Sequence, residues 1–318
     1  MGYAPGASVS APATVVVCGE ALVDLVPVGT EALAPLAPRP GGGPLNVAVA
    51  LGRLGVPTVF CSRVSTDGFG AAVLAHLHSA GVGVDLVQRG GEPTTLAVVA
   101  RHPDGSAGYS FYVHGTADRL VTDPGPLGAA VAAVSFGTLS LLLEPGASVY
   151  EAVLHREHGA GRVTVLDPNV RAALVDDPDA YRARFRSWLP SVDVLQVSDD
   201  DAGWLGGTPQ EWLAAGVAAV VLTRGGAGLS VHTATGVVEV GVPAVRVADT
   251  IGAGDTVHGA LLAWLHGAGA LGQDGVRALG DRQWRAALEF AAAAAAVTVS
   301  RPGADPPWRG ELTAGPLA

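Results

Sequence analysis

Short apolar runs rich in β-branched residues alternate along this chain with stretches whose apolar positions recur at helical spacing. The runs predict strands at Thr14–Cys18, Thr58–Val64, Val131–Phe136, Val163–Asp167, Val194–Val197 and Ala218–Thr223. Between them, Phe69, Val73, Leu74 and Leu77 share a helical face that stops at Gly81, while Val257, Leu261, Trp264 and Leu265 mark a helix ending near Gly267. Such alternation is the pattern of an α/β fold, a parallel sheet covered by helices on both faces. Two segments depart from it. From about Val23 to Arg39 and from about Thr94 to Val113 the chain holds alternating or short strands, including Thr94–Ala100 and Tyr109–Val113, joined by turn signals such as Pro103-Asp104-Gly105. With no helix between them they predict a small antiparallel flap folded onto one core. Neither an internal repeat nor a linker-like shift in composition divides the 318 residues, so a single domain is expected.

Polar and glycine residues gather where the buried runs end. Val163–Leu166 leads into Asp167-Pro168-Asn169, Val194–Val197 into Ser198 and three aspartates, and Val220–Leu222 into Thr223-Arg224-Gly225-Gly226. Ligands of open parallel sheets bind outside the carboxyl ends of the strands, so these tips are expected to line one crevice.

Composition narrows the chemistry. With 49% hydrophobic and 15% charged residues the chain can bury a large core. A net charge of −10 argues against a sequence-independent hold on nucleic acid, which needs clustered cations, and favours a small-molecule partner. All 19 basic residues are arginine. The absence of lysine excludes a Walker A loop, a protein-kinase site and Schiff-base chemistry. Cys18 and Cys61 lie in apolar runs and read as buried reduced thiols. No basic leader and no apolar run of membrane-spanning length is present, so a cytoplasmic protein without membrane partners is expected.

Two segments carry candidate chemistry. Asp249-Thr250-Ile251-Gly252-Ala253-Gly254-Asp255-Thr256 follows the strand-like Val245–Val247 and opens a helix beginning near Thr256. Small residues at 252 to 254 let consecutive backbone N–H groups converge where the helix dipole adds positive charge, which makes a phosphate cradle without lysine. Asp255 is placed to accept a proton from a hydroxyl attacking that phosphate; the spacing equally allows it to cap the helix. A dinucleotide fingerprint fails here, because it would need glycine where Val257 stands. The second segment, Gly41-Gly42-Gly43-Pro44-Leu45-Asn46, precedes a helical run closed by Gly55. Its glycines allow close backbone approach and Asn46 offers a donor and an acceptor to a sugar hydroxyl, although a glycine turn with an Asn cap would look the same.

Together these segments resemble the ribokinase-like (PfkB) carbohydrate kinases. The resemblance runs nearly end to end, through Gly19-Glu20-Ala21-Leu22-Val23-Asp24, Gly41–Gly55, Thr66–Gly70, Asp167–Arg171, Thr223–Gly225, Asp249–Asp255 and Ser300–Pro307. It implies a three-layer α/β/α sandwich with a mostly parallel sheet and a β lid. It further implies an ATP-dependent kinase with Asp255 as catalytic base and the amides of Gly252, Ala253 and Gly254 as anion hole. Asp24, Gly42, Gly43 and Asn46 would hold the sugar. Ser198, Thr223, Gly225, Gly226 and Gly228 would border ATP, with Ala292 near the adenine. Mg²⁺ would be served by Asp201, one methylene shorter than the family's usual Glu, and a monovalent cation such as K⁺ would sit near Asp249. Family members often form homodimers through their lids.

Among sugars, Gly43-Pro44 excludes the Gly-Gly-Lys-Gly of ribokinases. The Gly-Gly-x-Pro-x-Asn form, the lid-like Phe111-Tyr112 and Asp167–Arg171 look most like fructokinases. 2-Keto-3-deoxygluconate kinases share much of the pattern, and Arg101 or Arg171 could supply the cation their substrate needs. A non-catalytic sugar-binding regulator on the same fold is the alternative of another class.

Overall fold

Continuous apolar runs can be buried on both sides only inside a sheet covered on both sides. The computed structural model, which describes residues 13–29, 31, 33–101 and 107–312, places them there. Its strands are β1 (Thr14–Cys18), β2 (Leu22–Pro27), β3 (Leu36–Gly41), β4 (Thr58–Ser65), β5 (Gly83–Gly90), β6 (Thr95–Arg101), β7 (Ala107–Tyr112), β8 (Val131–Gly137), β9 (Val163–Asp167), β10 (Val194–Ser198), β11 (Ala219–Thr223), β12 (Leu229–Thr233) and β13 (Gly236–Val240). Its helices are α1 (Gly43–Arg53), α2 (Gly68–Ser79), α3 (Gly146–Gly159), α4 (Pro178–Trp188), α5 (Asp199–Leu205), α6 (Pro209–Ala214), α7 (Ala253–Gly267), α8 (Gln273–Arg277) and α9 (Asp281–Val299).

Nine strands form the main sheet in the order β13-β12-β11-β10-β9-β8-β1-β4-β5, parallel from β11 to β5 and closed on the other side by the antiparallel β12 and β13. Alternation along β1 assigns its side chains to two cores. Val15 and Val17 pack with α1, α2, α7 and α9, and Val16 and Cys18 pack with α3, α4 and α6. Cys18 and Cys61 stand in register across β1 and β4 as buried free thiols. This is the three-layer α/β/α sandwich that the resemblance implies. The six strands expected from the sequence are present to within a residue at each end. Val245–Val247 is a difference: residues 241–248 form no strand and run exposed toward Asp249.

The lid is a second sheet, β3-β2-β6-β7. Its hairpins β2–β3 and β6–β7 are antiparallel as expected, and the two are joined through a parallel β2–β6 pair. The Pro103-Asp104-Gly105 turn lies outside the described residues, as does the side chain of Arg101. Among the described residues no helix is long and apolar enough to cross a membrane.

α7 is wedged between α1 and α9. The hydroxyls of Thr256 and Thr298 meet at 2.9 Å, and a Cβ at Gly259 would stand 2.8 Å from Ala50 Cβ and 3.2 Å from Val47 O. At the far end of α1, Arg53 donates to Asp305 Oδ1 (2.5 Å) and Pro306 O (2.6 Å) and lies 5.2 Å over the Trp308 ring. The C-terminal segment is thereby tied to the helix that opens with the Gly42-Gly43 turn. The helix contact sets an expected outcome: Gly259→Val should destabilise the fold by about 1–3 kcal/mol through overpacking, read as a lower urea midpoint with an unchanged slope.

Candidate active site

Strand order brings the chemistry to one edge. β1 ends at Gly19-Glu20, β8 at Gly137-Thr138, β9 at Asp167 and β10 at Ser198, and all lie along the carboxyl edge of the parallel sheet. The lid stands over that edge. Between them opens a cavity of about 1270 Å³ lined by Asp24, Val99, Tyr109 and Phe111 from the lid side and by Asn46, Asp167 and Asp255 from the body. The crevice expected from the strand tips is therefore present at Asp167, Asn169, Ser198, Asp201 and Thr223.

α7 opens three residues earlier than the sequence suggests, at Ala253. Gly252 is its N-cap, in the left-handed region at φ 75, and no side chain caps the helix. A Cβ at Gly252 would stand 2.6 Å from Ala304 Cβ, so glycine is required for space as well as for conformation. Asp255 therefore sits inside the first turn rather than at its cap. Its Oδ2 accepts from Asn46 Nδ2 at 2.8 Å. Ala253 N–H makes a long contact with Thr250 O, 3.3 Å, and the loop below is tied down by Asp249, whose oxygens accept from Ile251 N–H (3.1 Å) and Gly303 N–H (2.9 Å).

Gly42 and Gly43 start α1 directly opposite. A Cβ at Gly43 would meet Thr138 Cγ2 at 2.5 Å and Asp255 Oδ1 at 3.2 Å, so the carboxylate can stand against bare backbone. Asn46 is inside the helix and bonds the carboxylate across the gap, not the turn that precedes it.

The electrostatics are dominated by buried carboxylates. Burial, reinforced by the charge of Asp255 and opposed by Arg171, pushes Asp24 up to about 6. Burial also raises Asp255, against the Asn46 hydrogen bond and Arg171. Asp167 is raised well above the carboxylate range by burial and by the charges of Asp201 and Asp255. Arg171 is the one cation whose described side chain lines the cavity, and its Nη1 donates to Asn169 O (3.0 Å) and Oδ1 (2.6 Å). Asp201 accepts from Val170 N–H (2.9 Å) and the Ser198 hydroxyl (2.7 Å).

Other expected residues are not brought here. Gly225 and Gly226 form a short turn off the lining, and Gly228 is packed against Val240 O. Ala292 is 2% exposed and faces the core among α7 and α9 side chains, so it presents nothing to the cavity. Sequence pattern points to no role for Glu20, Thr138 and Gln196, and to no more than crevice lining for Asp167 and Asn169. All but Gln196 stand just past strand ends or at their last residue, which was the available signal. Gln196 lies within β10, donating to Asp167 Oδ2 (3.1 Å) and Gly254 O (3.0 Å), and no pattern marked it.

The chain is similar to known proteins in sequence and in fold. The family model described as pfkB family carbohydrate kinase matches residues 12–309. A fructokinase of Rhizobium leguminosarum bv. trifolii is 38% identical over 260 residues, 78% of each chain. Among solved structures, fructokinase with bound ATP from Xylella fastidiosa superposes with a TM-score of 0.84 at 27% identity, over 92% of this chain and 94% of that one. Fructokinase from Vibrio cholerae O395, in a form with fructose, ADP and calcium ion bound, gives 0.79 at 27% identity over the same shares.

The raised carboxyl of Asp24 has a measurable sign. Its ionisation at pH 8 disfavours the folded state, so Asp24→Asn should melt higher than the parent at pH 8. The gap should close as pH falls through about 6 and vanish below the ordinary 3.8, where the parent's carboxyl is protonated in both states; thermal melts across that range check it.

Proposed function

The chain belongs to the pfkB family of carbohydrate kinases, and from that premise we propose that it transfers the γ-phosphoryl group of ATP to fructose, giving fructose 6-phosphate. One observation carries the reading: a buried carboxylate, Asp255, in the first turn of a helix whose N-terminus no side chain caps, joined to Asn46 beside the Gly42-Gly43 turn. In the reaction the sugar oxygen forms a bond to the γ-phosphorus as the bond to the bridging oxygen of ADP breaks. The hydroxyl proton goes to Asp255, whose raised affinity for protons suits a general base. Negative charge on the transferring group is met by the amides of Gly252, Ala253 and Gly254 and the positive end of α7. Tyr109 and Phe111, stacked at 5.8 Å, cover the ring and exclude water.

The nucleotide would occupy the side of the cavity toward Ser198 and Thr223. The donor set there suits Mg²⁺ carried with the phosphates: Asp201 and Asp167 are two carboxylates with a single arginine nearby, and no group of three or more metal-binding side chains is present among the described residues. Magnesium is commonly held by one or two carboxylates plus substrate phosphates, and it would offset phosphate charge against these aspartates. Asp249 holds the loop, its oxygens accepting from Ile251 N–H and Gly303 N–H, and a monovalent cation there would rely on loop carbonyls.

Fructose is favoured over 2-keto-3-deoxygluconate by charge. Arg171 lies within electrostatic reach of Asp24, Asp167 and Asp255 and donates to Asn169, so a substrate carboxylate drawn to it would also meet the charge of these aspartates. Exposed Val28, Leu33, Leu36 and Tyr112 on the lid support a homodimer formed through it.

Asp255→Ala should lower kcat by roughly 10²–10⁴ while leaving the circular dichroism spectrum unchanged. In a coupled ADP-release assay fructose should outpace 2-keto-3-deoxygluconate, ribose and adenosine, and a preference for the acid sugar would overturn the assignment. The kcat/KM for fructose should fall on acidification, as Asp24 near 6 and the raised Asp255 take up protons. ADP release at background level with every sugar would point to the regulator instead.

A further inference from the structure

Thr138 holds an unfavourable backbone conformation next to the base. It follows β8 with φ 59, a left-handed value that costs a β-branched residue on the order of 1–3 kcal/mol. Glu20, from the end of β1, clamps this turn. Its Oε1 accepts from the Thr138 hydroxyl and its Oε2 from Ser140 N–H at 2.9 Å. Both side chains line the cavity beside Gly43, and Glu20 is only 3% exposed. A carboxylate is costly in such a place, and two apolar residues would fill the same space without that cost.

The direction of the hydrogen bond is what a carboxylate alone provides. An ionised Glu20 has lone pairs and no proton, so the Thr138 hydroxyl must donate to it. What Thr138 then offers the cavity is an acceptor. Asn46 is set the same way, since its Nδ2 donates to Asp255 and its amide oxygen is left to accept. With the Asp24 carboxylate, the floor around Asp255 becomes a set of acceptors that matches the hydroxyl protons of a neutral polyol.

Resting on the reading of this cavity as a sugar site, we infer that Glu20 is a positioning residue that fixes Thr138 as a hydrogen-bond acceptor for a sugar hydroxyl close to the reacting one. The site thereby selects a hydroxyl donor over a deoxy, ether or carbonyl position at that point of the ring. Glu20 makes no contact with the reacting atoms in this scheme; it acts through Thr138.

The test compares Glu20→Gln, Thr138→Val and the double variant, by calorimetric titration of fructose and by steady-state kinetics at about pH 8.5. That pH lies above the values to which burial pushes Glu20, about 7, and Asp24, about 6. The other carboxylates facing the clamp, Asp118 behind it and Asp255 across the cavity, are the same in all variants. In Glu20→Gln the amide oxygen stays on Ser140 N–H, the NH₂ group turns to Thr138, and the threonine proton is forced into the cavity. Both single variants should weaken fructose binding and raise its KM about tenfold, the scale of one lost hydrogen bond, with the KM for ATP changed by less than about twofold. The double variant should lose no more than either single one. One monodeoxyfructose should bind the parent weakly yet bind Thr138→Val as well as fructose does.

Fructose affinity within about twofold of the parent in Thr138→Val, additive losses in the double variant, or equal losses for ATP and sugar in Glu20→Gln would each overturn the inference. If the parent releases no ADP with fructose, the substrate assignment fails separately. The same variants titrated with the sugar it does turn over then decide the role of Glu20.

Discussion

The hydrogen bond between Asn46 Nδ2 and Asp255 Oδ2, 2.8 Å long, joins the first turns of two helices that are 209 residues apart in the chain. Most of the surrounding architecture serves that approach. α1 and α7 can come together because Gly259 presents no side chain to Ala50, and the carboxylate can lie against α1 because Gly43 presents none to Asp255. Larger residues at either point would separate the helices and with them the proposed base from the proposed sugar site. The sheet supplies the rest, by ending β1, β8, β9 and β10 at one edge.

The charge balance of the cavity follows from the absence of lysine. Four buried or half-buried aspartates, Asp24, Asp167, Asp201 and Asp255, share one arginine, and burial raises three of them. In the proposed reading, phosphate is recognised beside the base by backbone dipoles, which carry no net charge and hold no proton that the base could take. A lysine near Asp255 would pull its proton affinity down and weaken it as a base. An amide cradle avoids that conflict, and its geometry is fixed by Gly252 pressed against Ala304.

Much of this was readable in the sequence. Buried parallel strands are continuous apolar runs, so β1 and β9 appear in the chain with the bounds they have in the fold. Runs that are less uniformly apolar are harder to read: β5 is largely half-buried, and β12 and β13 form a hairpin that interleaves buried Leu and Val with Ser, His, Thr and Glu. The site was legible where glycine and carboxylate cluster, at Gly42-Gly43-Asn46 and Gly252–Asp255. It was not legible where a residue's role depends on a partner remote in sequence. Ala292 looked available because helix alignment alone cannot say which face meets the core, whereas the structure turns it toward α7. Glu20 was visible in its motif, but only the return of β8 beside β1 gives it Thr138 and Ser140 to hold.

The ties made by the C-terminal segment have a consequence for the order in which the protein becomes competent. Arg53 reaches Asp305 and Pro306 across about 250 residues, and the loop beneath the anion cradle is fastened to Gly303 through Asp249. A ribosome delivers the glycine turn of α1 about 250 residues before these fastenings. A half-synthesised chain has the Gly42-Gly43 turn without Asp255, and a chain that stops short of residue 300 lacks the Gly303 N–H that Asp249 accepts. In the proposed reading the two halves of the site can be held together only once the segment from Gly303 to Pro306 has been made.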